Sequence, residues 1–182
     1  MSYQPLKGQK ALVTGASSGI GAGVAIALGQ AGADVVVNYA GNAAGTVPVI
    51  AAIEAAGGRA IAVQADVSDE AQVEAMFDKM MAEFGGVDIL VNNAGCNARK
   101  PALEVTWEDW NMVLDTNLRG TFFTSQAVAP GMIARGYGRI VNIGSVTCVA
   151  GYAGLAPYGA SRGGVKQLTM SLADDWGRHG VT

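Results

Sequence analysis

The stretch TGASSGIG, at residues 14–21, decides the fold that the sequence predicts. It follows an apolar run at residues 10–14 and opens a helix-patterned segment at residues 20–31. Gly15 permits a tight turn, Gly19 lets the backbone approach a pyrophosphate, and Gly21 permits close packing of the helix. The first turn of a helix offers free amides and a positive dipole to phosphates. The stretch therefore indicates a strand-to-helix turn that binds a dinucleotide.

The rest of the chain repeats this alternation of short apolar runs and longer helical patterns. Five runs have the character of buried parallel strands, at residues 10–14, 34–38, 60–64, 87–92 and 138–143. Helical patterns lie at residues 20–31, 42–56, 69–84, 107–134 and 158–178, and the fourth is one long helix or a broken pair. The alternation predicts an α/β fold, a Rossmann-type doubly wound parallel sheet with helices on both faces. Residues 1–182 are expected to form a single dinucleotide-binding domain, because no linker or repeat divides them.

The segment at residues 69–84 carries the clearest helix signals. Ser68 is expected to cap its first turn, where acidic residues also suit the helix dipole. The predicted buried stripe consists of Val73, Phe77, Met80, Met81 and Phe84.

Composition excludes several classes of function. The 182 residues carry a formal net charge of −3, so no basic surface is expected for nucleic acid or an acidic membrane. No run approaches the roughly 20 apolar residues of a membrane span, and residues 1–5 lack the features of a signal peptide. Cys96 and Cys148 stand far apart and without zinc-site spacing, so both are expected to be reduced thiols with no metal bound. A soluble, cytoplasmic protein is expected.

Further motifs follow the ends of the later predicted strands. The motif NNAG at residues 92–95 follows the fourth strand, Ser145 follows the fifth, and Tyr158 stands thirteen residues beyond Ser145. Together with the glycine-rich stretch, Asp66-Val67 and Asn117, this order resembles the short-chain dehydrogenase/reductase family over essentially the whole chain. Within the family, residues 6–10 and 37–39 look closest to glucose 1-dehydrogenases and 3-oxoacyl-carrier-protein reductases.

The resemblance implies hydride transfer between a nicotinamide ring and a carbonyl or secondary alcohol. Tyr158 would exchange the hydroxyl proton, and because an isolated phenol titrates near pH ~10, it needs a neighbouring positive charge to work near neutrality. Arg162 would supply that charge. Ser145 would stabilise charge on the substrate oxygen, and Asn117 would hold an ordered water in the proton relay.

The resemblance also implies a set of cofactor-binding residues. Asp66 would hydrogen-bond the adenine ring, and the segment that begins at Asn92 would line the cofactor cleft. The full set is Gly15, Ser17, Ser18, Gly19, Ile20, Gly21, Asn38, Asp66, Val67, Asn92, Ala94, Gly95, Tyr158 and Arg162. No carboxylate follows the second strand to hold a ribose 2′-hydroxyl, and Ser17 and Asn38 could bond a 2′-phosphate. NADP is therefore weakly favoured over NAD, although the sequence offers no arginine or lysine clamp there.

Each proposed catalytic residue also has a purely structural interpretation. Ser145 could cap the following turn, Asn117 could satisfy a backbone group in its helix, and Tyr158 could pack on its neighbours. Their joint occurrence, in family order at the ends of the strands, favours the functional interpretation.

The chain departs from the family pattern in two ways. Arg162 stands where the family has lysine, which keeps the charge but changes its geometry, so we expect turnover to fall sharply. Lys166, two helical turns after Tyr158, is a poor substitute. The sequence also stops at Thr182, before the family's last strands and its substrate-covering helices, so the fifth strand is expected at an open sheet edge.

These departures keep two alternatives open: a catalytically impaired dinucleotide-binding or oligomerisation module, and a misfolded fragment. The substrate is expected to be a small carbonyl compound or alcohol. Arg99 and Lys100, in the loop after the fourth strand, could meet an acidic substrate, although solvated charges are the simpler interpretation. The helices at residues 107–134 and 158–178 resemble those that build family dimers and tetramers, so a homo-oligomer is expected.

Overall fold

Five parallel strands form one sheet in the order β3-β2-β1-β4-β5. The computed structural model describes residues 4–182, so residues 1–3 of the segment compared above with a signal peptide lie outside it. The strands are β1 (Lys10–Val13), β2 (Asp34–Tyr39), β3 (Ala60–Gln64), β4 (Ile89–Asn92) and β5 (Arg139–Asn142). The helices are α1 (Gly19–Gln30), α2 (Thr46–Ala55), α3 (Glu70–Phe84), α4 (Trp107–Leu114), α5 (Gly120–Arg135) and α6 (Ala156–Trp176). This is the predicted doubly wound α/β fold.

Alternate side chains of the central strands enter two separate apolar layers. Val13 and Val35 belong to a layer that includes side chains of α1 and α2. Leu12 and Val36 belong to the opposite layer, with side chains of α3 and α5. Because successive side chains of a strand point to opposite faces, a sheet covered on both faces requires the continuous apolar runs that the sequence contains.

The strand order creates a crevice beside the end of β1. This strand pairs with β2 on one side and with β4 on the other, so the chain winds outward from it in both directions. Ligands of open α/β sheets bind outside the carboxyl ends of the strands at such a switch point. The glycine-rich stretch follows β1 directly and therefore lies at this crevice.

The predicted long helical segment at residues 107–134 is continuous but not uniform. Between α4 and α5 the backbone forms a π-helical turn at Asp115–Arg119, in which the Gly120 amide donates to the Asp115 carbonyl. Single π-helical turns inside helices are frequent at functional sites. Asn117, one of the predicted site residues, lies in this turn and is fully buried.

Two helices start more than one residue away from their predicted starts. Helix α2 begins at Thr46 instead of residue 42, because Asn42 accepts a hydrogen bond from the Gly45 amide (3.1 Å) and forms a turn. Helix α6 begins at Ala156, with Pro157 in its first turn, where the missing proline amide costs nothing. Tyr158 therefore lies in the first turn of α6.

The start of α3 corrects the predicted cap. Asp69, not Ser68, caps the helix by accepting from the Gln72 amide at 3.1 Å, and this bond is the main reason that the pKa of Asp69 lies below its ordinary value. The Ser68 hydroxyl instead donates to Asp66 at 2.7 Å. Three residues of the predicted stripe, Val73, Met80 and Phe84, are buried, but Phe77 is only half-buried and Met81 is exposed. The buried residues of α3 are Val73, Met76, Met80 and Phe84.

Strand β5 lies at one edge of the sheet, as expected, but that edge is partly paired. Val181 forms a parallel bridge with Gly138, and the Ile140 amide donates to the Thr182 carbonyl at 2.8 Å. The expectation of a fully open edge is therefore corrected. Within residues 4–182, none of the helices combines the length and the apolarity that crossing a bilayer requires.

Candidate active site

A cleft of about 520 Å³ lies at the carboxyl ends of strands β1 to β4. Its walls come from the loops that follow these strands and from the π-helical turn. The lining residues are Gly15, Ser17, Ser18, Ile20, Asn38, Ala40, Gly41, Asn42, Ala65, Asp66, Val67, Asn93, Ala94, Gly95, Cys96 and Thr116. Its size is that of an ordinary ligand site, and among the described lining residues Asp66 alone carries a charge.

The loops after β1 and β4 are locked together at the floor of the cleft. The Thr14 hydroxyl accepts hydrogen bonds from the Asn93 and Ala94 amides, both at 3.0 Å. The Asn93 side chain donates to the Thr14 and Gly15 carbonyls at 2.9 and 3.1 Å. A Cβ atom on Gly15 would lie 2.9 Å from the Ala94 Cα, so the approach of the two loops requires glycine.

The first turn of α1 fits a pyrophosphate. Ser18 precedes the helix in an extended conformation, and its exposed side chain makes no capping hydrogen bond. The first amides of the helix are therefore free of side-chain acceptors and face the cleft with the positive end of the helix dipole. Ile20 is 66% exposed, which leaves an apolar wall available beside this anion site. Gly19 has a positive φ of 57°, as its place at the turn requires.

Asp66 and Val67 line the opposite end of the cleft, where the resemblance places an adenine ring. The Asp66 carboxylate accepts hydrogen bonds from the Ser68 amide (2.9 Å) and hydroxyl (2.7 Å). The Asp66 amide donates to the Gln72 side chain at 2.9 Å. These bonds hold the carboxylate in a fixed orientation at the cleft.

Asn38 borders the cleft, but its side chain forms its hydrogen bonds with other groups of the protein. It is 1% exposed, accepts from the Gly15 amide at 3.1 Å, and donates to the Val63 and Ala65 carbonyls at 3.3 and 3.0 Å. Both amide protons are thus used. The predicted bond from this side chain to a 2′-phosphate is corrected, and Asn38 holds the glycine-rich turn against β3 instead.

The predicted segment lines the cleft at residues 93–95, but Asn92 itself does not, and its assignment as a cofactor-binding residue is corrected. It is 3% exposed, and its amide nitrogen donates to the Ser125 hydroxyl and to the Asn142 side chain, both at 2.9 Å. Its side-chain oxygen accepts from Thr124 at 2.6 Å. Asn92 therefore ties β4 to β5 and α5 behind the cleft, and the neighbouring Asn93 lines the cleft in its place.

Arg162 lies on α6, beside Gly95, which lines the cleft. Its guanidinium carbon is 5.2 Å from the centroid of the Tyr158 ring, and its Nη1 donates to the Ile143 carbonyl at 2.8 Å. Its Nη2 lies against Gly95, where a Cβ atom would collide with it. The residue is 5% exposed and belongs to none of the ion pairs among residues 4–182. The structure thus brings Arg162, Tyr158 and the cleft wall together.

Tyr158 lies on α6 with Arg162, whereas Ser145 lies in the chain after β5, two residues beyond Ile143. Ser145 follows β5, and its hydroxyl oxygen accepts from the Thr147 amide at 3.2 Å. Ser145 therefore caps the following turn, as its structural interpretation predicts. Because the hydroxyl oxygen only accepts in this bond, the hydroxyl proton remains available for donation. Tyr158 is half-buried in the first turn of α6. Lys166 is exposed farther along this helix.

Asn117 uses its side chain inside the protein. Its oxygen accepts from the Cys96 amide at 2.8 Å, and its nitrogen donates to the Cys96 carbonyl at 3.0 Å. The same nitrogen donates to the Ser161 hydroxyl at 3.1 Å. Both amide protons are therefore used, whereas the side-chain oxygen keeps one lone pair, and the relay water at Asn117 stays a prediction. The side chain holds the loop that lines the cleft at Cys96.

The loop after β4 carries the two cations that could meet an acidic substrate. Lys100 is engaged: its amine contacts both Asp109 oxygens, at 2.8 and 2.6 Å. This bond is the main cause that holds the pKa of Asp109 below its ordinary value, and the Thr106 amide adds to it. Arg99 remains exposed beside Gly154.

Asn93 was predicted only as part of the NNAG segment, and Ser161 was not predicted as a site residue. The NNAG motif pointed to the right loop, but two adjacent asparagines at a strand end cannot be assigned to cleft and interior without knowing the partners of each. Ser161 follows Tyr158 by one helical turn, on the face of α6 that carries Tyr158 and Arg162, and that spacing was the available signal.

Comparisons with known proteins match this architecture. A family model described as short chain dehydrogenase matches residues 9–182. Gluconate 5-dehydrogenase of Gluconobacter oxydans is 45% identical over 97% of this chain and 68% of its own length. A 3-oxoacyl-[acyl-carrier-protein] reductase of Synechocystis is 43% identical over 97% of this chain and 72% of its own length.

Solved structures are similar over the same extent. Gluconate 5-dehydrogenase of Burkholderia cenocepacia, in complex with NADP and tartrate, superimposes with a TM-score of 0.91 at 39% identity, over 99% of this chain and 70% of that one. A metagenomic short-chain oxidoreductase in complex with NADP gives a TM-score of 0.94 at 36% identity, over 97% of this chain and 80% of that one. These similarities support an enzyme and give no support to the impaired binding module.

Proposed function

Because the chain belongs to the short-chain dehydrogenase family, we propose that it transfers a hydride between a nicotinamide cofactor and a carbonyl or secondary alcohol, with Tyr158 exchanging the hydroxyl proton. The observation that carries this proposal is the position of Arg162. Its guanidinium lies over the Tyr158 ring and abuts Gly95, so the residue joins the proposed proton donor to the wall of the cleft.

The side chains around this point have complementary tasks. Tyr158 holds the proton that an alkoxide oxygen would take up, or accepts the one that an alcohol would lose. Ser145, whose hydroxyl proton is free to be donated, would bind the same substrate oxygen and stabilise the charge that develops on it. Arg162 supplies a buried positive charge beside the phenol. The bound cofactor would supply or accept the hydride.

The walls of the cleft fit a dinucleotide. The free first turn of α1 would hold the pyrophosphate, Asp66 and Val67 would contact the adenine end, and Gly95 and Cys96 would flank the nicotinamide end. The cofactor is NADP or NAD. We favour NADP, because none of the described residues at the end of β2 places a carboxylate that would repel a 2′-phosphate; a lower Kd for NADH than for NADPH would contradict this preference.

The substrate is a small molecule, and two classes agree with the relatives: a sugar acid, as for the gluconate 5-dehydrogenases, and a 3-oxoacyl thioester. We further propose that residues 1–182 act as one NAD(P)-binding domain within a homo-oligomer. The cytoplasm is the proposed location, because nicotinamide cofactors and free thiols such as Cys96 and Cys148 coexist there.

The proposal is tested by titrating the purified protein with NADPH, followed by nicotinamide fluorescence, and by measuring turnover with a panel of keto-sugar acids and 3-oxoacyl thioesters. We expect saturable binding and turnover of one of these classes. Tyr158→Phe should keep the binding and lose at least about a hundredfold in kcat, because it removes the exchangeable proton.

Tyr137→Phe is the matched control, since this phenol precedes β5 at the amino ends of the strands, away from the cleft at their carboxyl ends, and bonds Gln9 there. It should retain the kcat of the parent protein. Equal kcat values for the Tyr158 and Tyr137 variants would contradict the assignment of Tyr158, and absence of saturable binding would contradict the proposed function.

A further inference from the structure

Ser161 connects two parts of the proposed active site and is buried between them. Its hydroxyl donates to the Tyr158 carbonyl at 2.8 Å and accepts from the Asn117 side chain at 3.1 Å. Ser161 and Asn117 are both completely shielded from solvent. The hydroxyl therefore links helix α6, to which it donates its proton, with the π-helical turn, from which it accepts a hydrogen bond.

Asn117 continues this connection to the wall of the cleft. It accepts from the Cys96 amide and donates to the Cys96 carbonyl, so one side-chain amide holds both backbone groups of a single residue. Its two amide protons have two acceptors, the Cys96 carbonyl and the Ser161 hydroxyl. Because buried polar groups need partners, this arrangement fixes one orientation of the amide.

We infer that Ser161 is a positioning residue, which orients the Asn117 amide and through it the Gly95–Cys96 wall of the cleft. The inference rests on the proposed function in one respect, since it assigns this wall to the nicotinamide end. Without the Ser161 hydroxyl, one Asn117 proton would be left buried and unpaired. The amide would then turn toward another acceptor and release Cys96, although helix α6 would remain, because alanine is a good helix former.

Two thiols report on this connection without reference to activity. Cys96 lies on the wall itself, where its thiol donates to the Met112 carbonyl at 3.5 Å. Cys148 also donates its thiol to a backbone carbonyl, that of Arg162, at 3.1 Å. Both thiols are free and half-buried, so Cys148 is an internal reference for the labelling of Cys96.

The experiment compares iodoacetamide labelling rates at the two cysteines, resolved by peptide mass spectrometry, in the parent protein and in Ser161→Ala. We expect Cys96 to react about tenfold faster in the variant, the factor that loss of one hydrogen bond of ordinary strength gives, with Cys148 unchanged. The kcat should fall by about tenfold while the Kd of NADPH changes less. Ser171→Ala, an exposed serine of the same helix, should match the parent protein.

Ser161→Thr keeps the hydroxyl and should label like the parent protein, which tests the inference even if the alanine variant does not fold. In the background of Asn117→Ala, the added Ser161→Ala change should have no further effect on Cys96, because the two act in series. An unchanged Cys96 rate in Ser161→Ala, or equal acceleration of both thiols, would overturn the inference. If the parent protein lacked NADPH binding, the proposed function would fail while the labelling result still decided the role of Ser161.

Discussion

Arg162 places a positive charge inside the fold, where α6, β5 and the loop after β4 meet. Its Nη1 is committed to the Ile143 carbonyl, its Nη2 abuts Gly95, and its Nε is buried without a hydrogen-bond partner among the described residues. Arginine is a planar fork with fixed donor directions, whereas lysine is a compact charge on a flexible stem. The arginine therefore keeps a charge beside Tyr158 but directs its donors into the protein.

This geometry predicts that Arg162→Lys raises kcat, by about tenfold, because an amine can serve Tyr158 and also reach a bound ribose. Steady-state kinetics with a saturating substrate measures the change. Arg178→Lys, at an exposed arginine beyond the end of α6, is the control and should leave kcat unchanged. Equal or lower turnover in Arg162→Lys would count against this account.

Asn38 makes a second prediction at the residue scale. Asn38→Ala removes three hydrogen bonds inside the protein, and the free energy of unfolding should fall by about 2 kcal/mol. NADPH affinity should fall as well, because the Gly15 amide loses its acceptor. Urea denaturation and fluorescence titration measure the two effects. The neighbouring Asn42→Ala removes one exposed bond and should cost less than about 1 kcal/mol, and equal losses in both variants would be evidence against the role of Asn38.

Single polar side chains were the least predictable part of the site. Asn38 and Asn92 occur at strand ends, as cofactor-binding residues do, yet the side chains of both are buried and bond other groups of the protein. Their partners, such as Val63 and Ser125, lie 25 and 33 residues away in sequence. Which of two polar neighbours points inward depends on those distant groups, and a linear motif carries no information about them.

At the scale of elements, the glycine-rich turn and α1 form the part of the site that sequence predicted best. A Cβ atom on Gly21 would lie 2.5 Å from the Gly15 carbonyl oxygen and would also meet the Asn93 side chain. A Cβ atom on Gly23, in the same helix, would meet nothing within 4 Å. Alanine at Gly21 would therefore collide with its surroundings, whereas alanine at Gly23 would fit without a collision.

Gly21→Ala should destabilise the protein by about 2 kcal/mol and weaken NADPH binding, since a backbone oxygen cannot move aside without moving the turn. Gly23→Ala should instead stabilise it by about 0.5–1 kcal/mol, because alanine loses less entropy in a helix. Thermal denaturation with and without NADPH measures both changes. The explanation would be wrong if the two variants shifted Tm in the same direction.

The loop after β4 is fastened to α4 by charge. Asp109 accepts from Lys100 and completes a capping box with Thr106, and the Lys100 hydrogen bond is the main cause of its lowered pKa. A carboxyl whose pKa is lower in the folded than in the unfolded state stabilises the fold above its ordinary pKa. That contribution is lost as the pH falls below the ordinary value of 3.8.

Asp109→Asn should therefore lower Tm near neutral pH, and the difference from the parent protein should shrink as the pH falls below 3.8. Calorimetry across this pH range measures the difference. Asp174→Asn, at an exposed carboxylate of α6, is the control and should show little effect at any pH. A Tm difference that stayed constant or grew on acidification would contradict the proposed role of Asp109.

Element types were predictable from periodicity, but element starts were not. Ser68 and Asp69 are both good caps, and the choice between them is decided by Asp66, which takes the Ser68 hydroxyl. The π-helical turn at Asp115–Arg119 has no signature in the apolar pattern, because its extra residue alters the register of the helix and not its composition. Such choices depend on contacts outside the element.

At the scale of the whole molecule, the alternation of strands and helices was enough to predict the sheet and the location of the site at the carboxyl ends of its strands. Right-handed crossovers in a parallel sheet leave few possible strand orders, and all loops that follow strands meet at these ends. The partial pairing of β5 by Val181 and Thr182 was not predicted, because two residues are too few to show a strand pattern.

Hydride transfer next to Tyr158 is the activity that we propose for this fold. The most direct test is turnover with NADPH deuterated at the reactive nicotinamide carbon, in the presence of a keto-sugar acid or 3-oxoacyl thioester that the panel identifies. We expect the parent protein to form an alcohol product that contains one deuterium at the carbinol carbon, and Tyr158→Phe to lose this product. Saturable NADPH binding with no deuterium in the product, or equal incorporation by both proteins, would contradict it.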